Sequence, residues 1–296
     1  MSADQEIMTT ITLSSAPRLI PVRATDGATA QISLVPPDGA QCGLLWLPAM
    51  GVAARHYAPL AAHCGGQGIA CAVHEWRGIG SSSLRAGRTR NWGYRELLRD
   101  IGTSFAAARA AAPGLSWLLG GHSLGGQLAL LFISQTPAPI RGLVLIGSGT
   151  PYWRNFRWPL RWPLRATFTL APLVAGAWGY YPGRRLGFGG NESRGVIRDW
   201  TRSARSGRYC IAGQTRDAEA ALVDVRQPVL VLHARDDRLV PQAAIDHLLA
   251  KLPNAPREQV QLDAADFGTR SIGHFGWMQA PQPVARVIAA WTARLA

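Results

Sequence analysis

Five residues near the middle of the chain, Gly121-His122-Ser123-Leu124-Gly125, leave little freedom to the structure around them. An apolar run, Leu115-Ser116-Trp117-Leu118-Leu119-Gly120, precedes them, and Gly126 to Ile133 follows without a breaker. The first run reads as a buried strand and the second as a buried helix. Between them the chain must reverse within about five residues, too tight for side chains on both sides of Ser123, which is the job of the glycines. The serine is expected in a strained backbone with its hydroxyl projecting from the sheet edge. Leu124, the first residue of the helix, then offers its amide to a developing oxyanion. The competing reading is a glycine-rich turn with an incidental serine; the strand–turn–helix context favours an activated nucleophile.

The flanks supply the rest of a sheet. Thr9 to Leu13 and Ala30 to Val35 are β-rich, split by the turn signal Asp26-Gly27. Cys42 to Leu47 and Ile69 to His74 are unbroken apolar strands of the kind buried on both faces. Helices are expected over Tyr57 to Cys64 and Tyr94 to Ala112, the latter stopped by Pro113-Gly114. After the central unit come a strand at Gly142 to Ile146, another at Pro228 to His233, a helix from Gln242 to Leu252, a strand at Gln259 to Leu262 and a closing helix from Pro283 to Leu295. Strands alternating with helices imply an α/β fold with a mostly parallel sheet and helices on both faces.

That alternation stops between Pro151 and Gly213. The segment holds eleven arginines against Glu192 and Asp199, a net +9 out of +13 for the whole chain. Five of the eleven tryptophans are here, and prolines recur at 159, 163, 172 and 182. We read residues 151–213 as a cap of short helices and loops inserted into a core formed by 1–150 and 214–296. Trp153, Phe156 and Trp178 are its candidate substrate-binding residues. They come from an aromatic inventory that also includes Trp158, Trp162, Phe168, Tyr180 and Tyr181.

A serine hydroxyl is a poor nucleophile at neutral pH and needs a base, which in turn needs an orienting acid. His274 is the one histidine between the last strand and the last helix, flanked by Gly273 and Gly276. Asp237 and its neighbour Asp236 follow the strand at 228–233; Asp237 is favoured by its offset from the strand end and from Val240-Pro241. The loop after the earlier strand, Gly147-Ser148-Gly149, carries no carboxylate. His122 is expected to pack under the turn, and His233 and His247 to be structural. His56 and His74 lie near strand ends and are secondary candidates for substrate contact. A second oxyanion donor is expected from Pro48-Ala49-Met50-Gly51, with the Met50 amide as the donor.

No run is long enough for a membrane span, and the start lacks the basic and apolar regions of a signal peptide, so a cytoplasmic protein is expected. Cys42, Cys64, Cys71 and Cys210 show no metal-ligand spacing and are expected as buried reduced thiols. Neither a metal nor a cofactor is expected. Lys251 is the single lysine, and so arginine-rich a composition need not imply nucleic acid.

At this point the chain resembles the α/β-hydrolase superfamily over roughly residues 30–295. The likeness rests on Leu47-Pro48-Ala49-Met50-Gly51, Glu75-Trp76-Arg77-Gly78-Ile79-Gly80-Ser81-Ser82, Gly121 to Gly126 and Gly273-His274-Phe275-Gly276. Within it the chain looks closest to the lysophospholipase, monoacylglycerol lipase and serine aminopeptidase-like group. It is more similar still to a bacterial branch that shares Pro48 to Gly51, Tyr152 to Asn155, Pro182 to Arg185 and Gly273 to Gly276. Two departures stand out: Pro48-Ala49 replaces the usual His-Gly, and Ala234 a usual glycine. The resemblance implies an α/β-hydrolase fold with an inserted helical cap. It also implies a serine hydrolase of a carboxylic ester, thioester or small amide, acting on a small acyl substrate through Ser123, His274 and Asp237. Acyl transfer or perhydrolysis on the same triad, and a non-catalytic binding protein, are the alternatives. The basic cap adds peripheral contact with an anionic membrane to the expected partners; nucleic acid is not among them.

Overall fold

The computed structural model describes residues 16–295. Its strands are β1 (Arg18–Arg23), β2 (Thr29–Val35), β3 (Cys42–Leu47), β4 (Ile69–Val73), β5 (Ser116–His122), β6 (Ile140–Ile146), β7 (Tyr181–Pro182), β8 (Asn191–Glu192), β9 (Val229–Ala234) and β10 (Arg257–Leu262). Eight of them form one sheet in the order β1-β2-β4-β3-β5-β6-β9-β10. The pairs from β4 through β10 are parallel, while β1/β2 and β2/β4 are antiparallel. Asp26-Gly27 turns the β1–β2 hairpin as expected, but its first strand is Arg18–Arg23. The strand expected at Thr9 to Leu13 lies outside the described residues.

Both faces are covered, which is why β3 and β4 are buried at every residue. The period-2 alternation divides their side chains between two cores. Leu45 and Leu47 of β3 join Leu97, Ile101, Leu128 and Ile245 on one face. These belong to helices α2 (Tyr94–Ala111), α3 (Leu124–Gln135) and α8 (Gln242–Leu249). Leu44 and Trp46 join Leu60, Val284 and Trp291 on the other, from α1 (Ala58–Gly65) and α9 (Gln282–Arg294).

Between β6 and β9 the chain leaves the sheet. It forms α4 (Arg161–Trp178), the β7–β8 pair, α5 (Gly183–Leu186), α6 (Arg194–Ser206) and α7 (Ala218–Ala221). The expectation of short helices is corrected here: α4 has 18 residues and α6 has 13. The recurring prolines misled because Pro163 falls in the first turn of α4, where a missing N–H costs nothing, and Pro172 is accepted inside it. The two helices pack on each other through a small core of their own, Ala171, Ala175, Tyr181 and Ile197, beside a second cluster of Trp153, Phe168 and Ala204. Cys42, Cys64 and Cys71 are buried free thiols, but Cys210 is exposed, because it lies beyond α6 where Arg202 reaches its sulfur.

Candidate active site

Ser123 sits between β5 and α3 with φ 55°, the one positive value outside glycine among the described residues. Left-handed backbone of this kind costs a side-chain-bearing residue on the order of 1–3 kcal/mol, so surrounding contacts must impose it. They are visible. The Ser123 N–H bonds to the Ile146 carbonyl at 2.9 Å, tying the turn to β6. A Cβ on Gly121 would lie 2.4 Å from the Gly125 carbonyl carbon, and one on Gly125 would lie 2.1 Å from the Leu47 oxygen. One on Gly126 would meet Ser148 Oγ at 2.1 Å. The glycines let the helix start press against β3 and β6, and the serine is the residue left to absorb the reversal.

His274 is carried by the loop after β10 and is buried. Its Nδ1 donates to Asp237 Oδ2 at 2.7 Å. The other oxygen of Asp237 accepts the N–H groups of Leu239 (2.8 Å) and Val240 (3.0 Å), which fixes the carboxylate from the far side. The neighbouring Asp236 does something different. It accepts from the Ser271 hydroxyl at 2.5 Å and from the N–H groups of Ile272 and Gly273 at 3.1 and 2.9 Å. The Ser271 hydroxyl first, and those amides with it, hold its carboxyl below the usual range. So the two adjacent acids divide the work: one touches the imidazole, and the other pins the loop that carries it. Gly147 completes the fit, since a Cβ there would lie 3.2 Å from the His274 ring.

Ser123 and His274 line one cavity. Among the described residues the Ser123 side chain makes no hydrogen bond, the open state common where catalytic bonds tighten only around substrate. The Leu124 N–H heads α3, where no intrahelical acceptor exists, and the Met50 N–H has no acceptor among the described residues.

His122 lies beside this pair, its ring centroid 4.7 Å from that of His274. Burial, and then the neighbouring His274, push its pKa well below the ordinary value, so it is a neutral imidazole. Burial also drives the Tyr57 phenol up, so Tyr57 keeps its proton and donates to His122 Nδ1 at 2.8 Å. Tyr57 in turn accepts the Ala49 N–H at 2.9 Å. The loop after β3 is thereby tied to the residue before the serine. Tyr57 was not singled out from sequence, where it is one aromatic residue entering a helix.

The cavity spans about 670 Å³ counted out to its solvent-open mouth and is mainly apolar. Phe156, Leu164, Phe168 and Trp200 wall it from the inserted segment; Val240 and Phe275 wall it from the core. Of the three residues expected to touch substrate, Phe156 lies on the wall and Trp153 and Trp178 do not. Trp153 is buried among Phe168 and Ala204, and Trp178 is exposed at the end of α4. Trp200 was missed, although Val196, Ile197, Trp200 and Ala204 mark one face of α6. His74 does not reach the site: it is buried, bonded to Ser104 at 2.8 Å, and burial lowers its pKa to about 3. His56 is exposed and does not line the cavity. His247 holds Thr150, a wall residue, at 2.7 Å.

A serine at a strand–turn–helix reversal, an acid after the next-to-last strand and a histidine after the last, on a mostly parallel sheet, define the class as an α/β-hydrolase. A family model described as serine aminopeptidase, S33, matches residues 44–265, three quarters of the chain, and the protein belongs to that family. It is 31% identical over 151 residues to a pimeloyl-[acyl-carrier protein] methyl ester esterase of Nitrosomonas europaea. That match covers 46% of this chain and 58% of the relative, so the chain matches little more than half of that protein's length. The fold is similar to the esterase domain of a Rhodothermus marinus protein, with TM-score 0.61 and 16% identity over 95% of this chain and 99% of that one. It is also similar to a carboxylesterase of Nitrososphaera gargenis, with TM-score 0.63 and 13% identity over 93% and 98% of the two chains.

Proposed function

We propose that the protein is a serine hydrolase of carboxylic esters that works through an acyl-enzyme on Ser123. One observation carries the reading: the single strained serine and the buried His274–Asp237 pair open onto the same apolar cavity. With the His274 Nδ1 proton committed to Asp237, Nε2 is the basic nitrogen. It takes the Ser123 proton as Oγ attacks the carbonyl, then hands it to the leaving alkoxide. The Leu124 and Met50 amides are the donors for the oxyanion. Water deacylates the enzyme by the same route in reverse.

Residues 151–213 act in this reading as the cap that selects substrate, because Phe156, Leu164, Phe168 and Trp200 all come from them. An apolar acyl or aryl moiety fits such walls, and the methyl ester in the relative's name is one ester to try. The cap's arginines make an anionic membrane surface part of the reading. Buried free thiols at Cys42, Cys64 and Cys71 support the cytoplasm as its compartment. Transfer of the acyl group to a nucleophile other than water uses the same groups, and product analysis with and without added alcohol separates the two.

The test is a panel of p-nitrophenyl esters of rising chain length with wild type and Ser123→Ala. The expected result is turnover that favours medium chains over acetate and falls about 10⁵-fold or more in the variant, which stays folded. Turnover retained by Ser123→Ala removes the reading.

A further inference from the structure

Among the described residues the outer face of α4 is covered only at its two ends, where Trp162 packs on Trp153 and Arg88 donates to the Ala177 carbonyl. Trp162, Ala166, Leu170, Leu173 and Ala177 recur at spacings of four, four, three and four, one stripe of a helix about 27 Å long, and all are exposed. Leu170 is 55% exposed and Leu173 66%. Trp158 at 68% and Leu160 at 51% extend the stripe before the helix, and Trp178 at 52% ends it. The polar residues on this side do not break it. Thr167 and Thr169 turn their hydroxyls back onto the carbonyls of Pro163 and Arg165, at 3.0 and 2.9 Å. No charged residue occurs from Ala166 to Gly183. A single soluble chain rarely leaves so much contiguous apolar surface uncovered without a use for it.

The charges sit at the ends. Arg157, Arg161 and Arg165 form no ion pair with any described acid. Arg161 lies over the rings of Trp158 and Trp162 (5.6 and 5.7 Å), and Arg165 over Trp162 (5.7 Å). Arg184 and Arg185 follow the uncharged stretch at its other end. We infer that this face is a docking surface for an anionic lipid bilayer, with the leucine and tryptophan stripe in the headgroup–acyl boundary and the arginines on the lipid phosphates. A second copy of the chain fits poorly, because a two-fold contact would set arginine against arginine. The helix lies along the bilayer rather than across it: its opposite face, Phe168, Ala171 and Ala175, is buried against α6. Among the described residues no helix is long and apolar enough to span a membrane.

The stripe is joined to the cavity. Leu164 and Phe168 of the same helix wall the site of Ser123, and Phe156 precedes Trp158 by two residues. The helix that meets the lipid is thus the one whose opposite, buried side walls the cavity.

The test is co-flotation with phosphatidylcholine vesicles with and without phosphatidylglycerol, using wild type, Leu170→Asp/Leu173→Asp, Arg161→Gln/Arg165→Gln and Ser123→Ala. Wild type is expected to float with the anionic vesicles, with a blue shift in tryptophan emission. The double leucine variant should lose affinity ~10-fold or more while hydrolysing a soluble short-chain ester normally. The double arginine variant should lose the preference for phosphatidylglycerol. Ser123→Ala should bind as wild type does, so failure of the hydrolase reading leaves this result standing. Wild type that ignores both vesicles, or binding indifferent to the leucine substitutions, overturns the proposal. So does a dimer that the leucine substitutions dissolve in the absence of lipid.

Discussion

Asp236 and Asp237 are adjacent and chemically identical, yet the structure gives them separable tasks. In Asp237→Asn, the N–H groups of Leu239 and Val240 would keep the side-chain oxygen on their side. The amide NH₂ would then face His274 Nδ1, where the carboxylate now accepts at 2.7 Å. Two donors cannot share that contact, so the imidazole proton moves to Nε2, the atom that receives the Ser123 proton in the proposed mechanism. Loss of the orienting acid in this way is worth about 10⁴ in kcat, or about 5 kcal/mol of barrier, with the fold intact. Asp236→Asn is a different perturbation. The side chain is exposed and holds only the loop through Ser271, Ile272 and Gly273. An asparagine keeps one acceptor oxygen, so a loss of about 1 kcal/mol of stability and less than about tenfold in kcat is expected. Steady-state kinetics on a soluble ester, with thermal melts of both variants, give the comparison. Asp236→Asn falling as far as Asp237→Asn, or Asp237→Asn staying within about tenfold of wild type, refutes the division of labour.

Three further predictions concern packing, proton linkage and specificity. Gly125→Ala puts a methyl group 2.1 Å from the Leu47 oxygen; a destabilisation of about 3 kcal/mol or more, read by urea unfolding, is expected, and a neutral effect would contradict the role given to that glycine. Glu192 accepts the Gly190 N–H at 3.1 Å, and Gly190 packs on Gly51 of the loop after β3. Burial raises its carboxyl to about 7, outweighing the pull of that N–H and of Arg184. A raised carboxyl favours the folded state while it is protonated. Glu192 thus contributes stability below about pH 4.5 that is lost progressively up to about pH 7, of order 3 kcal/mol. Glu192→Gln should flatten that slope and stabilise the protein at pH 8; an unchanged pH profile would show that the carboxylate is not buried. Phe168→Ala enlarges the cavity wall and should shift the p-nitrophenyl ester preference toward longer chains by about tenfold in kcat/KM, at about 3 kcal/mol of stability. An unchanged chain-length profile would place Phe168 outside the acyl path.

The core of the molecule was legible because its signals are local. Apolar runs such as Cys42 to Leu47 can only be strands covered on both faces, and the glycines around Ser123 mark a reversal whatever surrounds it. Chain order singled out Asp237 and His274, and the structure places the two at hydrogen-bond distance from each other. The inserted segment was harder to read for a physical reason. Its helices are apolar on more than one side, since α4 faces α6 and the cavity with Leu164 and Phe168 and open surface with Leu170 and Leu173. Periodicity shows a helix with one apolar face clearly, but it does not say which of two apolar faces meets the cavity. Trp153 and Trp178 therefore looked equivalent to Phe156, although one is interior to the insertion and the other is on its surface. Tyr57 and Glu192 left no sequence signal, because what they hold is set by the fold: Tyr57 bridges Ala49 and His122, and Glu192 bonds Gly190, which packs on Gly51 from another part of the chain.

The central claim is that Ser123 is an activated nucleophile. Labelling the folded protein with a fluorophosphonate and mapping the adduct by peptide mass spectrometry tests it most directly. The account predicts one adduct, on Ser123, formed rapidly in wild type, much more slowly in Asp237→Asn, and not at all after unfolding. A folded protein that leaves Ser123 unmodified, or carries the label on another residue, would contradict it.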